Sequence, residues 1–196
     1  MMLGGGAALS CAAPARATQA GHAMLTPLPG SWTGHGKPAF LLDDLHGQPR
    51  SLRDFAGRAA IVHFFATWCE PCTREMASLQ RFAASARNRP LAVVAIDVAE
   101  VDLRVRAFFE TMPVDFPVLL DRDRAVARAW RVSALPTSFV LGADLVPRLY
   151  AEGDIDWASA TTRAAIEPFI PATPSAAPHA TAPPSPSAAP AAGPNR

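Results

Sequence analysis

Two almost uninterrupted apolar runs stand out along the chain, at residues 60–66 (AIVHFFA) and residues 91–96 (LAVVAI). Such runs are typical of strands buried on both faces, as in a parallel or mixed sheet with helices on either side. Between them, from about Cys69 to Arg87, apolar residues recur at intervals of three and four positions, which predicts an amphipathic helix. Pro71 falls in the first turn of this helix, where a missing N–H costs little.

The residues that follow continue the alternation of strands and helices. We predict a helix over 102–112, a strand over 116–120, a short helix over 124–130, a hairpin of strands over 137–141 and 145–151, and a final helix over 156–169. A small hairpin within residues 40–52 precedes the first buried strand. Strands separated by helices imply right-handed crossovers, and the terminal hairpin adds antiparallel strands. The order therefore predicts an α/β fold with a mixed central sheet flanked by helices.

The two ends of the chain differ in composition from this central region. Residues 171–196 are rich in proline and alanine and hold no Val, Ile, Leu, Met or aromatic residue, which predicts a disordered tail. Residues 1–30 carry a single charge, and an A-x-A pattern at residues 15–17 fits a cleavage site, so we predict a signal-peptide-like or disordered N-terminus. Cys11 ends a loose match to a lipoprotein box, which makes it a candidate for lipidation. One domain remains, over residues 31–170.

Charge and cysteine content exclude several classes of protein. The chain has 18 Lys and Arg against 17 Asp and Glu, a net charge of +1, so nothing favours nucleic acid or an anionic membrane surface as a partner. It lacks a run of about 20 apolar residues, so we expect no ordinary membrane-spanning helix. Three cysteines are too few for a disulfide scaffold, and two of them are spaced as C-x-x-C. We expect a monomer without a cofactor.

The C-x-x-C pair lies where a buried strand turns into a helix. Cys69 falls at the helix N-terminus, where unpaired N–H groups and the helix dipole favour a thiolate, the nucleophile of disulfide exchange. Cys72 lies on the same helical face. It can attack a mixed disulfide between Cys69 and a substrate, which releases the reduced substrate. A zinc half-site and an inert disulfide are the alternatives. A zinc site lacks ligands, because Cys11 is the only other cysteine and no His-x-His pair exists. The strand context and the spacing of the cysteines favour a redox pair over an inert disulfide.

The segment IVHFFATWCEPCTREMASL, residues 61–79, resembles the active-site segment of the thioredoxin superfamily, and more closely that of the exported TlpA/ResA/CcmG type of thiol–disulfide reductase. Upstream, FLLD and the residues after it resemble the N-terminal hairpin of that family. Downstream, ALPTSF at residues 134–139 resembles its cis-proline loop, and Gly153 followed by Trp157 resembles its ending. The match covers about residues 38–169 and implies a thioredoxin-like fold with an N-terminal β-hairpin.

The resemblance implies an exported thiol–disulfide oxidoreductase that acts as a reductant. Cys69 would attack a disulfide of a substrate protein, Cys72 would resolve the mixed disulfide, and a membrane thiol reductase would restore the dithiol. Family analogy suggests apocytochrome c or a copper-site maturation protein as the substrate. It also suggests the periplasm, or the extracytoplasmic face of a bacterial inner membrane, as the location.

Two residues are candidates for accepting or transferring the proton of the Cys72 thiol. Glu75 matches the acidic residue that follows C-x-x-C in the TlpA/ResA type, which implies a carboxylate near Cys72 that accepts its proton or raises its pKa. An acid in the first helical turn also complements the helix dipole. His63 aligns with the buried acidic position of thioredoxins. It is either a proton relay to Cys72 or a core histidine satisfied by a backbone partner.

Three residues are candidates for contacting the substrate. Pro136 would be the cis-proline that faces the disulfide, and the backbone of Leu135 would then pair with an extended substrate peptide. Trp68 would flank the nucleophile. Leu135 departs from the small or polar residues that the family often has before this proline, which leaves the substrate preference open. Ala77 stands where a proline is common, which implies a straighter helix without loss of chemistry.

Two other functions remain open for the cysteine pair. The same fold can work as a disulfide oxidant or isomerase. A non-catalytic metallochaperone would hold Cu(I) between soft thiolates, although copper chaperones of this superfamily use C-x-x-x-C with a distal histidine. A peroxidase is excluded, because it would need Pro-x-x-x-Thr-x-x-Cys and Val62 and Ala66 occupy those places.

Overall fold

The computed structural model describes residues 22–28 and 39–172. Its strands are β1 (Thr26–Pro27), β2 (Leu41–Asp43), β3 (Pro49–Ser51), β4 (Ala59–Phe65), β5 (Leu91–Val98), β6 (Val118–Asp121), β7 (Thr137–Leu141) and β8 (Pro147–Glu152). Its α-helices are α1 (Glu70–Ser85), α2 (Asp102–Thr111), α3 (Ala125–Ala129) and α4 (Ala160–Ile166), and 3₁₀ turns span Leu52–Phe55 and Glu167–Phe169. No helix within these described ranges is long and apolar enough to span a bilayer.

Six strands form the central sheet in the order β1-β8-β7-β4-β5-β6, and β2 and β3 form a separate hairpin. β4, β5 and β6 run parallel, whereas β7 is antiparallel to both β4 and β8. An isolated bridge from Asp44 to Leu119 attaches the hairpin to β6. The predicted α/β architecture, with a mixed sheet and an N-terminal hairpin, is confirmed.

Strand β4 is buried along its whole length, as its apolar run predicts. Its side chains alternate between two cores on opposite faces of the sheet. Ile61 and Phe65 join the core that includes the apolar face of α1, whereas Val62 and Phe64 join the core around Trp130. Because both faces of this central strand are covered and closely packed, its C-terminal end is a rigid support for the residues that follow.

Two strand ends differ from the predicted ones for local reasons. β6 begins two residues later than predicted, because Pro117 has no N–H to donate to the ladder. β8 begins at Pro147 rather than at residue 145, because Leu145 has a φ of 60° in a turn closed on the carbonyl of Gly142.

The last helix is shorter than its apolar pattern predicts. It begins at Ala160 rather than at residue 156, because the Ser159 hydroxyl caps it by accepting a hydrogen bond from the N–H of Thr161. Trp157 therefore precedes the helix and is fully buried. After Ile166 the chain continues as a 3₁₀ turn. The remaining predicted ends lie within one or two residues of the observed ones.

Strand β1 corrects the predicted N-terminal boundary of the folded region. It pairs antiparallel with the edge of β8, although it lies within residues 1–30, whose composition predicts that they precede the domain. Hydrophobic periodicity cannot detect a strand of two residues. The predictions for residues 1–21, including Cys11, and for residues 173–196 lie outside the described residues.

Candidate active site

The cysteine pair lies where β4 turns into α1, and its two residues form a disulfide. The turn that leaves the strand is closed by the N–H of Cys69, which donates to the carbonyl of Ala66 at 3.2 Å. Cys69 is the N-cap of α1, and its Sγ accepts a hydrogen bond from the N–H of Cys72 at 3.4 Å. The sulfurs therefore lie at the positive end of a 16-residue helix, where a thiolate is stabilised.

Solvent exposure distinguishes the two cysteines. Cys69 is 6% exposed and Cys72 is fully buried, whereas Trp68 beside them is 61% exposed. Cys69 is therefore the sulfur that a disulfide of another protein can reach, next to an exposed indole. Because Cys72 is out of contact with solvent, its thiol proton needs a buried acceptor when the disulfide forms.

Glu75 is a buried carboxyl that lies one turn of α1 beyond Cys72. The indole N–H of Trp157 donates to its Oε1 at 2.5 Å, and its Oε2 has no hydrogen-bond partner among the described residues. Burial raises the pKa of Glu75 to about 8. The charge of Asp154 adds to this rise, while hydrogen bonds from Trp157 and from the backbone of Ile155 oppose it. At pH 7 the carboxyl is therefore mostly protonated in the disulfide form.

His63, on β4, lies beside this carboxyl. Its Nδ1 is 3.9 Å from Oε1 of Glu75 and forms a hydrogen bond of 2.9 Å with Oγ of Ser138. Its Nε2 has no partner in the described part of the chain. Burial lowers the pKa of His63 to about 3, so the imidazole is neutral at pH 7. The partner of this histidine is therefore a serine side chain, not the backbone group expected of a core histidine.

The cis-proline lies at the same end of the sheet as the disulfide. The Leu135–Pro136 peptide bond is cis, as the resemblance implies. β7 begins at the next residue and pairs antiparallel with β4, with Thr137 opposite Phe64. This register brings Pro136 to the C-terminal end of β4, from which the turn to Cys69 departs. Leu135 remains partly exposed there.

Two partners of the buried groups carry no local signal in the sequence. Ser138 meets His63 because the two face each other in the β4–β7 ladder, 75 residues apart. Trp157 reaches Glu75 across 82 residues. The resemblance singles out Trp157, but only the packing of the segment before α4 shows what its indole N–H binds.

Metal ligands are not clustered around the cysteines. Within residues 22–28 and 39–172, no group of three or more His, Cys, Asp or Glu side chains could hold a metal ion. In the disulfide, neither sulfur is a thiolate ligand.

A comparison with protein-family models adds to this geometry. The model of the AhpC/TSA family matches residues 33–146, more than half of the chain. The chain belongs to the AhpC/TSA family. Within the thioredoxin superfamily it is of the TlpA/ResA/CcmG type, as the similar proteins indicate.

Three similar proteins carry names that refer to thiol or disulfide exchange. Thiol-disulfide oxidoreductase ResA of Bacillus subtilis is 36% identical over 108 residues, which cover 55% of this chain and 60% of ResA. A thiol:disulfide interchange protein from Chlorobium tepidum is 26% identical, with a TM-score of 0.61 over 76% of this chain and 99% of that one. A secreted disulfide oxidoreductase of Mycobacterium tuberculosis is 22% identical, with a TM-score of 0.58 over 64% and 94% of the two chains, and shows the shared thioredoxin-like fold. The chain thus spans about 60% of the length of ResA.

Proposed function

We propose that this protein is a thiol–disulfide oxidoreductase that reduces disulfides of other proteins through Cys69 and Cys72. One observation carries the proposal. The disulfide lies at the N-terminus of α1, with the more accessible sulfur on Cys69 and a fully buried sulfur on Cys72. This asymmetry suits a reaction in which one sulfur attacks from the surface and the other resolves from within.

The reaction balances in two steps. The Cys69 thiolate attacks a sulfur of the substrate disulfide, so that a mixed disulfide forms and the other substrate sulfur leaves as a thiolate. Cys72 then loses its proton and attacks Sγ of Cys69, which releases the second substrate sulfur. Two electrons pass to the substrate, its thiolates take up protons, and the protein ends as the disulfide. A thiol reductase in the membrane restores the dithiol.

Glu75 is the group that takes the proton from Cys72 in the second step. The disulfide form is the product of that step, and in it the raised pKa of about 8 keeps the carboxyl protonated at pH 7. When the disulfide is reduced again, the same proton returns to Cys72. We assign His63 the role of proton relay on its position, because its Nδ1 lies 3.9 Å from Oε1 of Glu75.

The substrate binds over Trp68 and the cis-proline. The exposed indole flanks Cys69, and the partly exposed Leu135 presents backbone to an extended peptide. We propose an extracytoplasmic location, in the periplasm or at the inner membrane, with attachment through Cys11 in a lipidated form. The description of the Mycobacterium tuberculosis relative as secreted supports this location. Disulfides of apocytochrome c or of copper-site proteins are the proposed substrates.

Trapping of mixed disulfides tests the proposal. Cys72→Ser leaves the attacking thiol but removes the resolving one, so it should hold substrate proteins as mixed disulfides that are released by dithiothreitol. Cys69→Ser is the matched control, because it has the same number of thiols but exposes no nucleophile. The proposal fails if, after export, Cys72→Ser captures no more protein than Cys69→Ser. Mass spectrometry of the captured proteins then decides between cytochrome and copper-site substrates.

A further inference from the structure

Glu100 holds the turn that carries Cys69. Its Oε2 accepts a hydrogen bond from the backbone N–H of Thr67 at 2.5 Å, and its Oε1 accepts one from the Thr67 hydroxyl at 2.7 Å. The side chain of Glu100 is only 3% exposed. One carboxylate therefore satisfies both donors of a single residue in a place that water hardly reaches. We call this pair of hydrogen bonds the Thr67–Glu100 clamp.

Thr67 lies in the turn between β4 and α1 and belongs to neither of these elements. The turn runs from Ala66, at the end of β4, to Cys69, the N-cap of α1. Its other inner residue is Trp68, which is exposed. The position of Thr67 between strand and helix is therefore set from outside the turn, by Glu100.

The place of Glu100 depends on an unusual backbone bend. The chain leaves β5 through Ala99, whose φ of 64° is a left-handed conformation that non-glycine residues rarely adopt. Just beyond this bend, the N–H of Glu100 donates to Oδ2 of Asp97 at 3.3 Å. The strained residue Ala99 thus directly precedes Glu100, which contacts the turn that carries Cys69.

The groups around the Glu100 carboxylate are donors, a cation and a buried acid. Asp97 is fully buried, and burial together with the facing Glu100 raises the pKa of Asp97, which favours its neutral form beside Glu100. On the other side, Nη1 of Arg104 lies 3.8 Å from Oε1 of Glu100. Glu100 therefore meets donors and a cation, and the acid nearest to it is driven towards neutrality.

We propose that Glu100 is a positioning residue of the redox site, which fixes through Thr67 the turn that presents Trp68 and Cys69 to the substrate. The inference rests on the proposed function, because the turn needs positioning only if Cys69 is the attacking thiol. In the dithiol form the covalent link to Cys72 is absent. The clamp then keeps Cys69 at the N-cap, where the helix dipole favours its thiolate.

Alkylation of the reduced protein by iodoacetamide tests the clamp directly. The rate constant at Cys69 is measured from pH 5 to 9, with the modified residue located by mass spectrometry. Thr67→Val removes one hydrogen bond, keeps the branched shape and changes no charge. We expect it to slow alkylation at pH 7 by about threefold to tenfold, because the thiolate loses its fixed place at the helix end. Adding Glu100→Gln should then slow it by less than the product of the two single effects, since both changes break the same contact.

A matched variant separates positioning from general loss of stability. Asp44 is a buried carboxylate in the turn between β2 and β3, where it accepts hydrogen bonds from the N–H groups of His46 and Gln48. Asp44→Asn should lower the unfolding temperature but leave the alkylation rate constant and its pH profile unchanged.

Two results would overturn the role of Glu100. One is a folded Thr67→Val protein that is alkylated at the wild-type rate; the other is an Asp44→Asn protein that is slowed as much as Thr67→Val. The dithiol–disulfide equilibrium of the wild-type protein is measured alongside. If the wild type shows no reversible equilibrium, the proposed function fails; if it does and Thr67→Val reacts normally, only the clamp fails.

Discussion

The indole N–H of Trp157 donates a hydrogen bond to Oε1 of Glu75, which joins the segment before α4 to the helix that carries the cysteines. The contact is buried on both sides. It is one of two hydrogen bonds that favour the charged form of Glu75 against the larger effect of burial. The tryptophan therefore lowers the pKa of the proposed proton acceptor, Glu75.

Trp157→Phe should raise the pKa of Glu75 further, because the charged carboxylate loses a donor. We expect the pH profile of disulfide reduction to move to higher pH, and the free energy of unfolding to fall by about 1–3 kcal/mol. The pH profile of insulin reduction and urea unfolding measure the two effects.

Trp130→Phe is the matched control for this change. Trp130 is equally buried, but its indole N–H has no hydrogen-bond partner in the described part of the chain. The substitution should cost packing and leave the pH profile in place. An equal shift in both variants would show that the Trp157–Glu75 hydrogen bond does not set the pKa.

Glu75→Gln should slow the resolving step, because an amide cannot take the proton of Cys72. We expect the rate of disulfide reduction at pH 7 to fall by about a hundredfold. The wild-type rate should rise with pH as Glu75 ionises, and the variant should lose that part of the rise. Glu70→Gln is the control, since Glu70 lies between the cysteines but is exposed and pairs with Arg74. A pH profile that is the same in Glu75→Gln and in the wild type would remove Glu75 from the mechanism.

The stability of the disulfide form should depend on pH through three buried groups: Glu75 and Asp97, whose pKa values are raised, and His63, whose pKa is lowered. The folded pKa of Glu75 is raised from 4.5 to about 8, so its contribution is fully present below about pH 4.5 and is lost as the pH rises through 8. The folded pKa of His63 is lowered from 6.5 to about 3, so its contribution is present above 6.5 and is lost as the pH falls through 3. The pKa of Asp97 is raised as well, so Asp97 acts in the same direction as Glu75, and between about 4.5 and 6.5 the His63 slope offsets only one of the two.

Urea unfolding of the disulfide form at several pH values checks these signs. Between pH 6.5 and 8 the slopes of Glu75 and Asp97 remain, each at most about 1.4 kcal/mol per pH unit. Glu75→Gln should remove the Glu75 part of this fall and leave the Asp97 part, so the variant should lose about half as much stability as the wild type over this range. If the wild type and Glu75→Gln lose stability in parallel over this range, another group causes the loss.

The parts of the fold and site that could be predicted from the sequence are those with local signals. The apolar run at residues 60–66 predicts β4, because the burial of a strand is visible in its own residues. The C-x-x-C motif that follows predicts a cysteine pair at the start of α1, because helix capping also depends on neighbouring residues. The resemblance adds the cis peptide bond before Pro136.

The remaining features depend on contacts that sequence spacing does not encode. His63 meets Ser138 and Glu100 meets Thr67 only after the strands are paired in register. Strand β1 has two residues, too few to show the alternation of apolar and polar residues that indicates a strand. α4 starts after its cap, Ser159. Because apolar residues occur on both sides of Ser159, the apolar pattern alone does not show this start.

The reduction potential of the Cys69–Cys72 pair tests the central claim most directly. The protein is equilibrated in a series of dithiothreitol buffers, free thiols are trapped with a maleimide, and the fraction reduced is fitted to a two-electron transition. A reductant should give a reversible transition near about −270 mV, the range of thioredoxin. A value near about −120 mV would mean that the protein donates disulfides and would reverse the proposed direction. The absence of any reversible transition would contradict the oxidoreductase itself.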